Sequence, residues 1–591
     1  MPYSTSLNDQ ERSVFNTYIK EINFPRGSQI IRQGDLGDGC YIIDKGKVRL
    51  ELDTSETNSD PTLGFLEEGM LLGEFSILDK LQRSSNAFAD TDVSTRFIST
   101  ANFQKLCLDH PKIGVKILMD FSREVTGKIR IMNERMSGFL HTDEVDPDVE
   151  EMISDAGLAF REFMEWPEKK VDILLKDIAE AIAGRADAFA RETVKETGMG
   201  VVEHKIIKIQ FAALEVYKEM SGKHAHGLNM IDPLNKIQEI ASPVGVIFGL
   251  IPVTNPVSTI VFKVLISLKS RNAIILSCHR NAMGVCNTAG ELIQEILKKH
   301  AAPVKLLQWI KVRGSRKKTA MYMTHPDISL TLATGGPSMV KAAYSSGNPA
   351  IGVGMGNAPV LICSDVDPDK VAEMVIGSKN FDNGIICGSD NNLIVVSSIR
   401  DEFIKSLQKH GAIVLTAPEK TRFIAATFDA DSHHIRKDKV GQDAIKIAAE
   451  AAIERDGKFS LIVVPEDEDY LESPMANEKL APILSLFTVA DEQEGLELCR
   501  NVLRKEGMGH TAIIHTNDKD RIKAFGMAMP ASRILVNTPG TQGCIGIGNG
   551  LLPSFTLGCG TYAGCSTTDN VSFHNLLNIK RIAYPIESNE E

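Results

Sequence analysis

A chain of 591 residues is several times longer than one compact domain needs, so two or three folding units are the starting expectation. With 43% hydrophobic and 24% charged residues it has the composition of α/β proteins, which excludes the disordered and fibrous classes. The formal net charge of -12, with no segment of clustered Lys and Arg, excludes a nucleic-acid sheath, because neutralising phosphates takes concentrated basic charge; small anions need only a local site.

The opening stretch MPYSTSLNDQERSVF lacks the basic and apolar regions of an export signal, and nowhere do about 18 apolar residues run uninterrupted, so a soluble, cytoplasmic chain with no membrane partner is expected. From Phe24 to Ser99, β-like segments at 29–32, 40–43, 47–52 and 95–98 are separated by turns at Gly34, Gly37 and Gly39, which predicts a small β-roll or barrel. A helix is predicted over 111–136, where Leu118, Phe121, Val125, Ile129, Met132 and Met136 recur at three and four; this seam packs on its own domain or against a second chain. The acidic run from Thr142 to Asp148, broken by Pro147, marks a boundary, giving an N-terminal domain over 1–136 and a linker over 137–148. Beyond it, 149–218 reads as amphipathic helices. From Val244 onward, apolar runs at 244–250, 273–276, 360–363, 392–396 and 460–464 alternate with helical patterns, which predicts parallel sheets flanked by helices.

The ten cysteines show neither paired zinc spacing nor the density of a disulfide scaffold, so reduced side chains and no metal site are expected. His224 with His226, and His433 with His434, lack carboxylate or cysteine partners at ligand spacing and read as surface loops. The glycines from Gly546 to Gly550 neither follow a clear strand nor open a helix, and read as a loop bordering an acceptor cleft.

In the N-terminal part, Gly73-Glu74-Phe75-Ser76-Ile77-Leu78 is followed by Gln82-Arg83-Ser84-Ser85-Asn86-Ala87. A guanidinium fork meets two phosphate oxygens, and Ser84 and nearby backbone N–H groups supply further donors. The stretch resembles the phosphate-binding cassette of the cyclic-nucleotide-binding domain family over residues 10–136. That resemblance implies that Gly73, Glu74, Arg83 and Ser84 bind the nucleotide, Arg83 on the cyclic phosphate and Glu74 on the ribose hydroxyl. Ser85 stands where alanine is usual, and Lys128 and Ile129 fall near where relatives preferring cyclic AMP carry hydroxyl residues, so which nucleotide binds stays open. The alternative is a roll kept for oligomerisation or tethering, with Arg83 in an ordinary ion pair.

The strongest chemical signal is Phe381-Asp382-Asn383-Gly384-Ile385-Ile386-Cys387-Gly388-Ser389, a cysteine behind a glycine turn and an apolar pair. A thiolate on such a turn can approach a carbonyl while backbone N–H groups face the developing oxyanion. With this segment come IPVTNPVST at 251–259, ISLKSRNAII at 266–275, LATGGPSMVKAAYSSGNPAIGVGMGN at 332–357, NEKLAPIL at 477–484, GMGHTA at 507–512 and SFTLGCGTYAG at 554–564. In order and spacing, residues 150–580 resemble the acylating aldehyde dehydrogenases, above all the acetaldehyde dehydrogenase half of bifunctional aldehyde-alcohol dehydrogenases. The resemblance implies a multidomain chain in which the β-roll is followed by an α/β dehydrogenase fold, with a cofactor-binding part over 149–370, a catalytic part over 371–560 and a C-terminal arm over 561–591. It further implies Cys387 as nucleophile, Asn255 as oxyanion donor and His510 near the cleft, orienting CoA or tuning the thiolate. Thr334, Gly335 and Gly336 would lie along the dinucleotide pyrophosphate, Ser277 near the adenosine ribose and Glu478 on the nicotinamide ribose. The iron-dependent alcohol dehydrogenase half is expected to be lacking, and homo-oligomers are expected.

Hydrolytic relatives carry a general-base glutamate upstream of the cysteine, where this chain has Gly352-Val353-Gly354. Without that base, CoA rather than water takes the acyl group. The implied reaction converts a short-chain aldehyde such as acetaldehyde, CoA and NAD, rather than NADP, to acyl-CoA and NADH, with a cyclic nucleotide as possible effector. Two alternatives remain open: a semialdehyde or sulfonated aldehyde as substrate, or an idle nucleotide-sensing protein.

Overall fold

The computed structural model describes residues 7–51, 62–74, 77, 82–121, 146–311, 315–430, 432–466 and 473–586. The chain divides into two units, 1–141 and 142–591.

The first unit is a β-roll of two four-stranded antiparallel sheets. One runs in the order Lys20–Phe24, Val93–Ser99, Gly39–Lys45, Leu71–Leu72, and the other Gln29–Ile31, Asn86–Ala89, Val48–Glu51, Thr62–Leu66. The four predicted β-segments match strands of these sheets to within a few residues. After the helix Thr100–Asp109, residues 111–121 are helical, and Ile113, Ile117 and Phe121 are buried in the roll's own core, where Phe121 stacks on Phe103 at 5.6 Å. The described start of the predicted seam thus packs within its own domain; Val125, Lys128, Ile129, Met132 and Met136 lie outside the described residues.

The second unit opens with the helix Pro147–Met164, capped by the Asp146 carboxylate, which accepts from the N–H groups of Asp148 and Val149. The last residues of the expected linker are therefore a helix start: the acidic residues that read as a boundary satisfy and complement the helix N-terminus. In the next helix, Glu168–Gly184, the buried residues Val171, Leu174, Leu175, Ile178 and Ile182 follow the three-and-four spacing of one apolar face.

Two parallel sheets follow. The first has five strands, in the order Leu307–Trp309, Ala273–Cys278, Val246–Ile251, Ile328–Ala333, Ala350–Gly352. The chain moves outward on one side from Val246–Ile251 and then returns to its other side, so the strand order reverses there. Ligands of open α/β sheets bind beyond the carboxyl ends of the strands at such a reversal. Against this sheet lies the helix Pro256–Lys269, every residue of which is buried, including Lys263, whose Nζ donates to Leu250 O and Leu332 O at 2.7 Å.

The second sheet has seven parallel strands, in the order Ala412–Val414, Leu461–Pro465, Ile483–Val489, Asp390–Val396, Ala358–Ile362, Gly509–His515, Ala531–Val536. Its middle strand, Asp390–Val396, is buried throughout. Ala358–Ile362 already pairs in this sheet, so the change of sheet comes between Gly352 and Ala358, ahead of the division expected at 370. From the expected arm, Leu577–Ala583 pairs antiparallel with Ile237–Pro243, which in turn pairs with Gly227–Asp232. Among the described residues no helix is long and apolar enough to cross a membrane.

Candidate active site

The loop ahead of the middle strand of the seven-stranded sheet carries Cys387. Asp382 and Asn383 enter it with φ of 51° and 55°, the left-handed region that short polar side chains tolerate best. Ile385 and Ile386 are buried and anchor the turn, while Cys387 keeps part of its surface open. His510 begins the strand Gly509–His515 two places along the sheet, and its Nε2 stands 3.1 Å from Cys387 Sγ. Its Nδ1 lies 2.9 Å from Thr511 Oγ1, which accepts from Arg533 Nε at 3.4 Å. A threonine hydroxyl that accepts from arginine has its own proton to give to Nδ1, which leaves the imidazole proton on Nε2, facing the sulfur.

Burial, together with the nearby Arg533 charge, holds the His510 pKa well below the usual imidazole range, so the ring is neutral. Burial also pushes the Cys387 thiol up to about 12, with the Glu478 carboxylate adding to the rise and Arg533 opposing it. Among the described residues Arg533 is the cation that favours a thiolate, and burial outweighs it.

Glu478 precedes the strand Ile483–Val489 at the same amino-terminal edge. Burial and repulsion from Glu506 raise it to about 8, and its Oε1 is buried with no hydrogen-bond partner. A buried carboxylate oxygen without a donor is costly in a closed protein. A ligand hydroxyl would satisfy it, so this residue fits the ribose of a nicotinamide cofactor. Gly356 lies between Glu478 and Cys387: a Cβ there would fall 1.8 Å from the Cys387 carbonyl oxygen and 2.6 Å from Glu478 Oε1. Nor is there room for a base at 352–354. A Cβ at Gly352 would meet Val340 Cγ1 at 2.7 Å and Tyr344 Cε2 at 2.9 Å, and one at Gly354 would press on Ala563 and Cys559.

The other expected residues line the carboxyl edge of the five-stranded sheet. Leu250, near the end of the central strand, pairs with Ser277 on one side and Ala333 on the other, so Ser277 and the following Thr334-Gly335-Gly336 flank the strand reversal. Gly336 caps the helix Pro337–Tyr344, and a Cβ on it would meet nothing within 4 Å, which leaves open space for an approaching group. Asn255 caps the helix Pro256–Lys269 and receives the ammonium of Lys208 on its Oδ1. Lys208, Lys205 and Asp382 form a buried cluster that links Asn255 to the nucleophile loop.

In the first unit, Gly73, Glu74 and Arg83 come together and Ser84 is exposed. The buried Arg83 guanidinium donates to Gly73 O at 3.0 Å, Gly39 O at 2.9 Å and Asp38 Oδ1 at 2.7 Å. Of these three acceptors Asp38 alone is charged. Gly73, with φ of 84°, has no room for a Cβ, which would fall 2.1 Å from Arg83 Nη1. Phe75, Ser76 and Leu78 of the cassette lie outside the described residues.

Sequence reasoning missed Lys205, Lys208, Thr511 and Arg533. The legible signal for the first two was a pair of lysines three apart on a helix face that folds inward. Arg533 carried none, because a single buried arginine in a strand has no spacing to read. All ten cysteines are free, and among the described residues no group of three His, Cys, Asp or Glu side chains could hold a metal ion.

A parallel-sheet reversal in one sheet and, at the other, a crowded cysteine, a neutral histidine and an orphaned carboxylate oxygen make up a candidate dehydrogenase site. The chain belongs to the aldehyde dehydrogenase family, whose model matches residues 138–547, and the first unit matches the cyclic nucleotide-binding domain over residues 21–110. It is 38% identical over 452 residues to aldehyde-alcohol dehydrogenase 2 of Entamoeba histolytica, an alignment covering 75% of this chain and 52% of that protein. The chain thus spans about half the length of the aldehyde-alcohol dehydrogenases it matches. The succinate-semialdehyde dehydrogenase (acetylating) of Clostridium kluyveri is 32% identical over 74% of this chain and 95% of its own length. Among solved structures, an acetylating aldehyde dehydrogenase from Geobacillus thermoglucosidasius is similar with a TM-score of 0.72 at 37% identity, covering 75% of this chain and 98% of that one.

Proposed function

We propose that the second unit oxidises a short-chain aldehyde to its acyl-CoA through a thioester on Cys387, with NAD as electron acceptor, and that the first unit binds a cyclic nucleotide. The observation that supports an acyl-transfer route most strongly is the steric closure at Gly352 and Gly354, taken together with a cysteine already in contact with His510.

Cys387 Sγ adds to the aldehyde carbon while the carbonyl oxygen takes up a proton, forming a thiohemiacetal. The Asn255 amide N–H donates to that oxygen as charge develops on it. NAD, when bound, would supply the hydride acceptor, and with the hydroxyl proton released to solvent the adduct becomes a thioester. Ser277, Thr334, Gly335 and Gly336 would hold its adenosine and pyrophosphate parts, and Glu478 Oε1 would take a ribose hydroxyl. His510 donates from Nε2 to the sulfur whenever it carries negative charge, including when it leaves the thioester. No side chain at 352–354 can draw a proton from water, so the CoA sulfur, a far stronger nucleophile, attacks the acyl carbon and Cys387 leaves. Gly73, Glu74, Arg83 and Ser84 hold the cyclic nucleotide, whose phosphate takes the place of Asp38 on Arg83.

The test is NADH formation from acetaldehyde and NAD with and without CoA, in the intact protein and in Cys387→Ala. The expected result is turnover that needs CoA and is lost in the variant. Equal turnover without CoA would contradict the reading of the missing base. The similarity to a succinate-semialdehyde enzyme supports a second substrate class, so succinate semialdehyde belongs in the same assay, and a higher kcat/KM for it would replace acetaldehyde as the substrate.

A further inference from the structure

The helix Val202–Gln210 passes into a π-helical turn over Phe211–Glu215, a departure from regular winding that recurs at functional sites. Just before this turn, Lys205 and Lys208 point into the protein, and Lys205, Lys208 and Asp382 are all buried. Lys208 Nζ contacts both Asp382 Oδ2 and Asn255 Oδ1. Lys205 Nζ donates to the same Asp382 oxygen at 3.0 Å and to Thr254 O at 3.2 Å. The other Asp382 oxygen accepts from Val201 N–H at 2.7 Å, and Asp382's own N–H donates to His204 Nδ1 at 2.9 Å. Asp382 is thus held on every side, in the left-handed backbone conformation with which the nucleophile loop begins.

Asn255 has one acceptor oxygen and one pair of donor hydrogens. Burial pulls Lys208 down to about 7 while the Asp382 charge opposes the fall; Asn255 faces its Nζ with Oδ1, the orientation that the ammonium form, which has only donors, requires, and this turns Nδ2 the other way. Nδ2 donates to Thr254 Oγ1 at 3.3 Å, which uses one hydrogen and leaves the other for a ligand. Charge on the lysine also polarises the amide and strengthens the remaining N–H as a donor.

We infer that Lys208 is a positioning residue for the reaction: it fixes which face of the Asn255 amide meets the reacting carbonyl and, through Asp382, locks that amide in register with the loop that carries Cys387. This rests on the acylating reading above. Without Lys208 the amide is free to turn over and offer its oxygen to a developing oxyanion, while Lys205 still compensates the buried Asp382.

The experiment is a mutant cycle on the intact protein. CoA-dependent NADH formation by the wild type and its loss in Cys387→Ala are measured first, so failure of the acylating reading shows there and nowhere else. Lys208→Met is then compared with Asn255→Ala and with the double variant. Lys208→Met is expected to lower kcat about tenfold to a hundredfold, less than the outright loss of an oxyanion donor, with aldehyde KM within about threefold. On the Asn255→Ala background the same substitution should change kcat by less than about twofold, because nothing is left to position. Alkylation of Cys387 by iodoacetamide should proceed at the wild-type rate in Lys208→Met. An equal loss of kcat on both backgrounds, slowed alkylation, or no loss at all would overturn the assignment. Should Lys208→Met fail to fold by thermal melting, Lys208→Gln, which keeps a donor for the amide oxygen, is read by the same cycle. In it, too, a loss that persists on Asn255→Ala refutes positioning, and a loss that vanishes there supports it.

Discussion

The protonation state of the nucleophile offers the sharpest test of the site. With its thiol raised to about 12, Cys387 at pH 7.5 is ionised in only about 3 molecules in 100,000, against about one in ten for a free cysteine. A more basic thiolate is also more nucleophilic, by about 40-fold over that span, so alkylation should run about a hundredfold slower than that of a free thiol. The assay is the loss of Cys387 to iodoacetamide, followed by mass spectrometry of the modified peptide across pH 6 to 10. The rate should climb close to tenfold per pH unit without levelling off, because no group in contact with the sulfur is a cation. As Glu478 ionises near pH 8 its charge opposes the thiolate, which flattens the climb there, and Glu478→Gln should remove that effect and speed alkylation at pH 9. A plateau at or below pH 7, faster than a free thiol, would refute the argument, since it would require His510 to be an imidazolium paired with a resting thiolate.

Gly356→Ala would drive a Cβ to 1.8 Å from the Cys387 carbonyl oxygen, so the loop must retreat by roughly 1.5 Å; kcat should fall about a hundredfold, with a stability cost of about 1–3 kcal/mol read by denaturant unfolding. Gly336→Ala meets nothing within 4 Å, so its melting temperature should be unchanged while the KM for NAD rises at least about tenfold; an unchanged KM would remove the 334–336 loop from the cofactor site. Arg83→Gln should weaken cyclic AMP or cyclic GMP binding, measured by calorimetry on the intact protein, by at least about tenfold, and tight binding by the variant would detach Arg83 from that ligand.

What could be read in advance follows from what leaves a periodic trace. The β-roll strands and the parallel strands announced themselves as apolar runs between turns, because burial on a pleated surface fixes residue type at short range. The candidate nucleophile stood out because the turn ahead of it needs Asp382, Asn383 and Gly384, residues that accept a positive φ. Asp146 misread as linker because an acidic residue before a proline suits a boundary and a helix cap equally well. The partners of the site were invisible for a different reason. Lys208 meets Asn255 across 47 residues and Asp382 across 174, and Arg533 reaches Thr511 from a neighbouring strand, so only the folded chain brings them together.

The scaffold behind Cys387 is polar where a core would ordinarily be apolar, and that choice has a consequence for the chemistry. Lys379 Nζ donates to Lys479 O at 2.8 Å and to Ser389 Oγ at 3.3 Å, Asp390 accepts from Gly540 N–H at 3.0 Å, and Lys479 Nζ donates to Asn477 O at 2.9 Å. Burial pulls Lys379 down to about 7 and pushes Asp390 up to about 6, so neither charge is secure at neutral pH. Such a network contributes little net stability, since desolvation offsets most of the attraction, but its directional bonds permit one loop conformation where apolar packing would permit several. The Cys387 backbone is closed in as well by Gly356, where a Cβ would fall 1.8 Å from its carbonyl oxygen. On the acylating route proposed above, a thioester formed there waits for a nucleophile that brings its own reactivity, and a thiol cosubstrate has it.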